Sequence, residues 1–170
     1  DLDRVSPNLQ VVKNGAYGTS AVTIRGVGGS GFSVTSESQA ATYIDGIYVS
    51  RTQGNFLDLW DLNRVEVLKG PQGTLFGKNS TVGAVSFFYN KPSLEEENFK
   101  VRIGAGSDSR DELAFMANLP ISANSGLRVS YSSERQDGYI YNNTLNDFSG
   151  EIDAETLRIS GLYKFNDDFT

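Results

Sequence analysis

Apolar and polar positions change their rhythm once along this chain, near Ser93. Before that point the apolar residues come in short runs separated by glycine and polar turns. Ala21 to Arg25 and Thr42 to Val49 are predicted strands, and Phe56 to Leu62 a brief helical turn leading into a strand over Arg64 to Leu68. A further strand is predicted over Val82 to Tyr89. The connection into it carries Gly70, Pro71, Gly73 and Gly77, residues that make a compact, tightly turned loop. Asp1 to about Val12, broken by Pro7, reads as the end of one element and the entry into a strand.

Beyond Glu95, Glu96 and Glu97 strict alternation begins. Phe99, Val101, Ile103 and Ala105 share one side, as do Leu113, Phe115, Ala117 and Leu119; then Leu127, Val129 and Tyr131; then Leu157, Ile159, Gly161, Tyr163 and Phe165. About four strands therefore present one apolar face. Two architectures give this pattern. In a soluble sandwich the apolar faces meet in a core, as in a secreted β-rich carbohydrate-binding module. In a membrane barrel the same faces meet lipid, and each strand needs ~9 to 11 residues to cross. The connections favour the barrel: a short turn around Ser122 to Gly126, then roughly twenty residues rich in Asn, Asp, Ser and Gly, resembling the short inner turns and long outer loops of outer-membrane barrels. The short connection Ser107 to Arg110, which would also lie outside, makes that support partial.

Composition narrows the chemistry. The 170 residues carry 18 Gly, 10 Phe and 8 Tyr against one Met and one Trp, a balance that suits turn-rich β structure. The net charge of −6 comes without a basic stripe, so nucleic acid is not an expected partner. The absence of cysteine excludes a disulfide framework and thiolate metal sites, and the absence of histidine removes the commonest general base. No catalytic residue, metal or cofactor is expected. No apolar run is long enough for a transmembrane helix, so any membrane span must be built from strands. The opening at Asp1, without initiator Met or signal peptide, suggests a piece of a longer protein.

Three local motifs have plainer readings. Gly26, Gly28 and Gly31 satisfy G-x-G-x-x-G after a strand, with Asp45 about twenty residues on, but the following Phe32 to Ser38 is poor helix material for a pyrophosphate site. Gly73 to Asn79 has three residues between its glycines where a Walker loop has four. Asp137, Asp147, Glu151, Asp153 and Glu155 lie in one stretch without a base, yet lack the ordered spacing of a Ca²⁺ loop. A solvated acidic loop is the plainer reading.

The segment Arg64 to Gly77, RVEVLKGPQGTLFG, resembles the signature near the end of the plug domain of TonB-dependent outer-membrane receptors. Ile24-Arg25-Gly26 and the run from Tyr43 to Val49 match two further plug signatures in order. The resemblance implies an α+β plug, a small mixed sheet with short helices, over residues 1–97 with its N-terminus incomplete. The first antiparallel strands of an incomplete transmembrane β-barrel would follow over 98–170. It also implies a bacterial outer-membrane receptor that is not an enzyme. Such a receptor binds a large nutrient ligand such as a ferric siderophore, and TonB pulls on a preceding coupling segment to drive import. Arg25 and Lys69 stand where the family locks plug to barrel glutamates, Lys69 in place of the commoner arginine with its planar fork. Ser30, Phe32, Arg51, Gln53 and Phe56 fall in the apical loops that touch ligand in this family, and arginine with aromatics and amides would suit an anionic, ring-bearing ligand. Lipid would surround the strands.

Overall fold

The computed structural model describes residues 6–14, 19–28, 38–50 and 59–165. The chain divides into two compact units, one of Asp1–Leu57 with Leu62–Tyr89, the other of Asp58–Asp61 with Asn90–Thr170.

In the first unit, β1 (Leu9–Asn14), β2 (Thr19–Ile24) and β3 (Val27–Gly28) form an antiparallel sheet in that order. A second sheet joins β4 (Ala40–Ile44), β5 (Ile47–Val49), β6 (Leu62–Lys69) and β7 (Gly83–Tyr89) in the order β5-β4-β7-β6. It is a mixed sheet, because β4 and β7 run parallel while β5 and β6 pair antiparallel with their neighbours. Leu9, Val22, Ile24, Ala40, Val85 and Phe87 form the core, with Val11, Leu62, Val65, Val67 and Val82 packed against it. Arg64 and Glu66 lie exposed on the edge strand β6, paired at 2.7 Å, with the Arg64 guanidinium 3.8 Å from the Phe88 ring centroid.

Two expectations are corrected here. Thr42 to Val49 is a hairpin, not one strand, because Asp45 (φ 48°) and Gly46 (φ 84°) both adopt the left-handed conformation of a tight two-residue turn. The Asp45 carboxylate accepts from the Tyr89 amide at 3.0 Å, fastening that turn to the end of β7. The expected helical turn over Phe56 to Leu62 lies partly outside the described residues. Its described part, residues 59–61, is a turn in which Asp61 has φ 60°, which no right-handed helix accommodates, and Leu62 already opens β6.

The loop from Gly70 to Val82 folds on itself around α1 (Gly73–Phe76). The Gly70 amide donates to the Val82 carbonyl and the Gln72 amide to Ser80, each at 2.9 Å, while the fully buried Ser80 hydroxyl donates to the Gly77 carbonyl. The loop ends at Gly83, the one glycine here that packing and backbone both demand. At φ 149° an added Cβ would run into the Leu68 carbonyl and stand 2.6 Å from Ile24 Cδ1.

In the second unit, β8 (Asn98–Ala105), β9 (Asp111–Ser122), β10 (Ser125–Gln136) and β13 (Ile152–Tyr163) form one antiparallel sheet in the order β8-β9-β10-β13. These are the four strands expected from the alternation. The connection between the last two is shorter than expected, residues 137–151, and holds a hairpin of its own, β11 (Ile140–Asn142) with β12 (Asp147–Ser149). Its strands are clasped by the Tyr141 and Phe148 rings, 5.2 Å apart.

The register sorts the sheet's two faces. Val101, Phe115, Tyr131 and Leu157 form one cross-strand row, and Phe99, Ala117, Val129 and Ile159 the next. Phe99, Val101, Phe115, Leu157 and Ile159 lie open, Val101 at 68% and Ile159 at 64% exposure, and Ala117, Val129 and Tyr131 are half-buried. On the opposite face Ala114, Met116, Asn118 and Ser130 are buried. A sandwich core would require the reverse, so the soluble arrangement of these strands does not hold among the described residues.

Candidate functional site

Arg25 and Lys69 come from β-strand ends and converge on one short stretch of backbone. Arg25 has φ 56° and, with Gly26, makes the two-residue turn that pairs Ile24 with Val27, so its side chain projects from an exposed corner. Its amide donates to the Asn8 carbonyl at 2.7 Å. Lys69 closes β6, and its Nζ donates to the Pro7 carbonyl at 2.6 Å. A motif of strand, Arg and Gly therefore has a plain local cause: the turn needs two left-handed residues, and glycine supplies the second without strain. The same turn and β3 occupy the first glycines of the G-x-G-x-x-G match, where a nucleotide site would need a helix N-terminus.

Elsewhere in this unit, an aromatic cluster that the sequence does not announce holds the Gly70 to Val82 loop to the β4–β5 hairpin. The Tyr43 hydroxyl donates to the Phe76 carbonyl at 2.6 Å, and its ring lies 5.2 Å from Phe76 and 5.5 Å from Tyr48. Asn79 Nδ2 donates to the Tyr48 hydroxyl. Burial, and then the neighbouring Tyr48, push the Tyr43 phenol above its ordinary value, so it stays a neutral donor. The available signal was the pair Tyr43 and Tyr48 flanking an Asp-Gly turn, which the register places directly opposite each other.

Ser30, Phe32, Arg51, Gln53 and Phe56 lie outside the described residues. On the four-stranded sheet of the second unit, the apolar face spans nine positions of β9, from Leu113 to Ile121, the length a tilted strand uses to cross the hydrocarbon region. At one end of that face the Tyr163 and Phe165 rings stack edge-on at 4.8 Å, as in an interfacial aromatic girdle. At the other, Arg135 bridges Asp153 and Glu155. Past the charged end, Asp108, Asp137, Tyr139, Asp147, Phe148 and Glu151 line a cavity of about 530 Å³. The Asp137 amide, donating to the Asp108 carbonyl at 2.9 Å, ties the two connections on this side together.

A small mixed-sheet unit followed by strands with a bare apolar face is the combination that comparison with known proteins explains. The model of the TonB-dependent receptor plug domain matches residues 1–84. The chain belongs to the TonB-dependent receptors. It is 28% identical over 174 residues to the vitamin B12 transporter BtuB of Vibrio vulnificus, covering 99% of this chain and 27% of that protein. It is 31% identical over 140 residues to the pesticin receptor of Yersinia enterocolitica, covering 82% and 18%. Among solved structures, the ferric yersiniabactin uptake receptor FyuA of Yersinia pestis superposes with a TM-score of 0.74 at 27% identity, over 94% of this chain and 25% of that one. The chain thus spans about a fifth to a quarter of the length of these relatives. TonB-dependent receptors reside in the outer membrane of Gram-negative bacteria, and the two units here are a plug and open, unclosed barrel-wall strands.

Proposed function

We propose that this chain supplies the plug and first wall strands of a receptor that captures a ferric siderophore outside the cell and imports it into the periplasm. The observation that carries this reading is the bare apolar face of β8, β9, β10 and β13 in a chain whose first unit is a plug. Lipid covers that face. The similarity to a ferric yersiniabactin uptake receptor supports the siderophore, and the similarity to a vitamin B12 transporter favours cobalamin as the second reading.

Ser30, Phe32, Arg51, Gln53 and Phe56 contact the ligand, the Arg51 guanidinium donating charge-assisted hydrogen bonds to anionic groups and the rings stacking on it. Arg25 and Lys69 lock the plug to acidic side chains of the wall, Arg25 from its exposed corner and Lys69 through the Nζ hydrogens not given to Pro7. TonB draws on a coupling segment that precedes the plug. Lys69 holds the backbone at Pro7 through one exposed hydrogen bond, which a pull can release at a small energetic cost. No bond in the ligand is made or broken, so the receptor is not an enzyme. Its acidic charge leaves no role for nucleic acid.

Uptake by cells carrying the full-length receptor as their single outer-membrane importer decides the ligand. Radiolabelled ferric siderophores should accumulate only when TonB is present. TonB-dependent accumulation of cobalamin and not of iron would assign the second reading, and accumulation of neither would contradict both.

A further inference from the structure

Segment Asp58–Asp61 interrupts the chain of the plug yet belongs to the wall unit. Its described end is gripped by the Arg128 side chain of β10, the Asn90 side chain and a backbone carbonyl of β9. Arg128 donates from Nε to Asp61 Oδ2 at 2.7 Å and from Nη2 to Oδ1 at 2.5 Å, a bidentate pair whose side chains are only 11% and 5% exposed. Asn90 adds to it, its Nδ2 donating to the Asp61 carboxylate at 3.0 Å and to the Asp61 carbonyl at 3.1 Å, and its amide also donating to that carbonyl. The Trp60 indole donates to the Phe115 carbonyl at 3.0 Å, with the Arg102 guanidinium 5.0 Å from the centre of its ring.

Asn118 stands directly across the ladder from Arg128 and is 1% exposed. Its Nδ2 donates to the carbonyls of Ser93 (3.0 Å) and Glu96 (2.6 Å), and its Oδ1 accepts from the Ser93 amide (2.9 Å). One cross-strand pair of polar residues therefore holds two straps, residues 59–61 and 90–96, and Asn90 ties the straps to each other.

The geometry points to this polar knot as the fixed anchor of the plug chain on the wall, the point that stays in place while the rest of the plug rearranges. The inference rests on the reading of these units as plug and wall of an importer. Removing one partner of a buried bidentate pair strands a charge away from water, whereas the Lys69 to Pro7 contact is an exposed hydrogen bond that water replaces. A pull on the chain opens the weaker contacts first. Arginine suits the wall side because its planar fork meets both carboxylate oxygens. Asp61 suits the strap because its left-handed backbone is one that aspartate tolerates better than most residues.

The test is site-resolved amide exchange in the full-length receptor in detergent micelles, along a urea series below global unfolding. The Asn90 and Ser93 amides should stay protected at urea concentrations where the amides of β4 and β7 have opened. Arg128→Ala should speed exchange at Asn90 on the order of a hundredfold and leave Ser93 within a few-fold, and Asn118→Ala should do the reverse. Arg128→Lys, which keeps the charge and loses the fork, should give an intermediate rate at Asn90 and serves if the alanine variant does not fold. Opening of Asn90 and Ser93 together with β4 and β7 in the unaltered receptor would overturn the anchor. So would equal responses of the two amides to every variant. The experiment needs neither ligand nor transport, so its failure is distinct from a failure of uptake.

Discussion

The plug and the wall solve the same problem, what to do with an apolar strand face, in opposite ways. In the plug, Phe87, Leu9 and Ile24 are sealed inside and charged Arg64 and Glu66 lie on an exposed edge. In the wall, Val101 and Ile159 are open while Asn118 and Ser130 are covered, and an Arg–Asp pair is buried with them. Alternation with period two thus states that a strand has two unlike faces and is silent on which of them is dry. The solvent decides: where water surrounds the strands the apolar side turns in, and where lipid does it turns out.

The sharpest way to break the comparison is to disturb each unit's own buried side. Phe87→Ala should destabilise the plug by about 3 to 5 kcal/mol through lost burial and a residual cavity, read as an earlier urea transition at probes in β4 and β7 with wall probes unmoved. Gly83→Val should cost about 3 kcal/mol in the same transition, because it forces a branched side chain into a positive φ against the Leu68 carbonyl and Ile24.

The wall should respond to the opposite chemistry. Val101→Arg, conservative by the standards of an exposed residue in water, should cost about 2 to 4 kcal/mol of refolding free energy into lipid vesicles if that position lies near the bilayer midplane. A cost near zero would return these strands to an aqueous setting. The smallest effect is expected at the loop clasp. Tyr43→Phe removes the donor to the Phe76 carbonyl but keeps the ring contacts, and should lower plug stability by about 1 kcal/mol. It should also abolish the loss of stability expected as pH climbs past the ordinary tyrosine range, since a phenol whose folded pKa is raised favours the fold below that range and disfavours it above.

How much of this was legible depended on the distance between partners. The period-two runs from Phe99 to Phe165 announced four strands and their shared face, because a strand's faces are written in consecutive residues. The Arg64 to Gly77 run announced a tightly turned loop because its glycines and proline dictate local dihedrals, and its resemblance to the plug signature carried the rest. The Asp45-Gly46 turn is equally local, but the residues flanking it read through as one strand. The hairpin of β11 and β12 hid in a polar stretch, since its strands are three residues each and carry one aromatic pair, Tyr141 with Phe148. The knot was not legible at all. Arg128 and Asn118 looked like ordinary polar positions of alternating strands, and Asp61 is 67 residues from its partner, a pairing no local pattern encodes. Arg25 and Lys69 were named from motif position, and their convergence on Pro7 and Asn8 is a tertiary fact.

The central claim, that the open apolar face of the wall strands meets lipid, is tested most directly by spin labels placed singly at successive positions from Phe99 to Ile103 in the receptor reconstituted in vesicles. Within these 170 residues no cysteine competes for the label, and any elsewhere in the receptor is first replaced by serine. Collision with apolar oxygen should be high and collision with a polar nickel complex low at 99, 101 and 103, with the order reversed at 100 and 102. Low oxygen access at 99, 101 and 103, or the same ratio at all five positions, would contradict it.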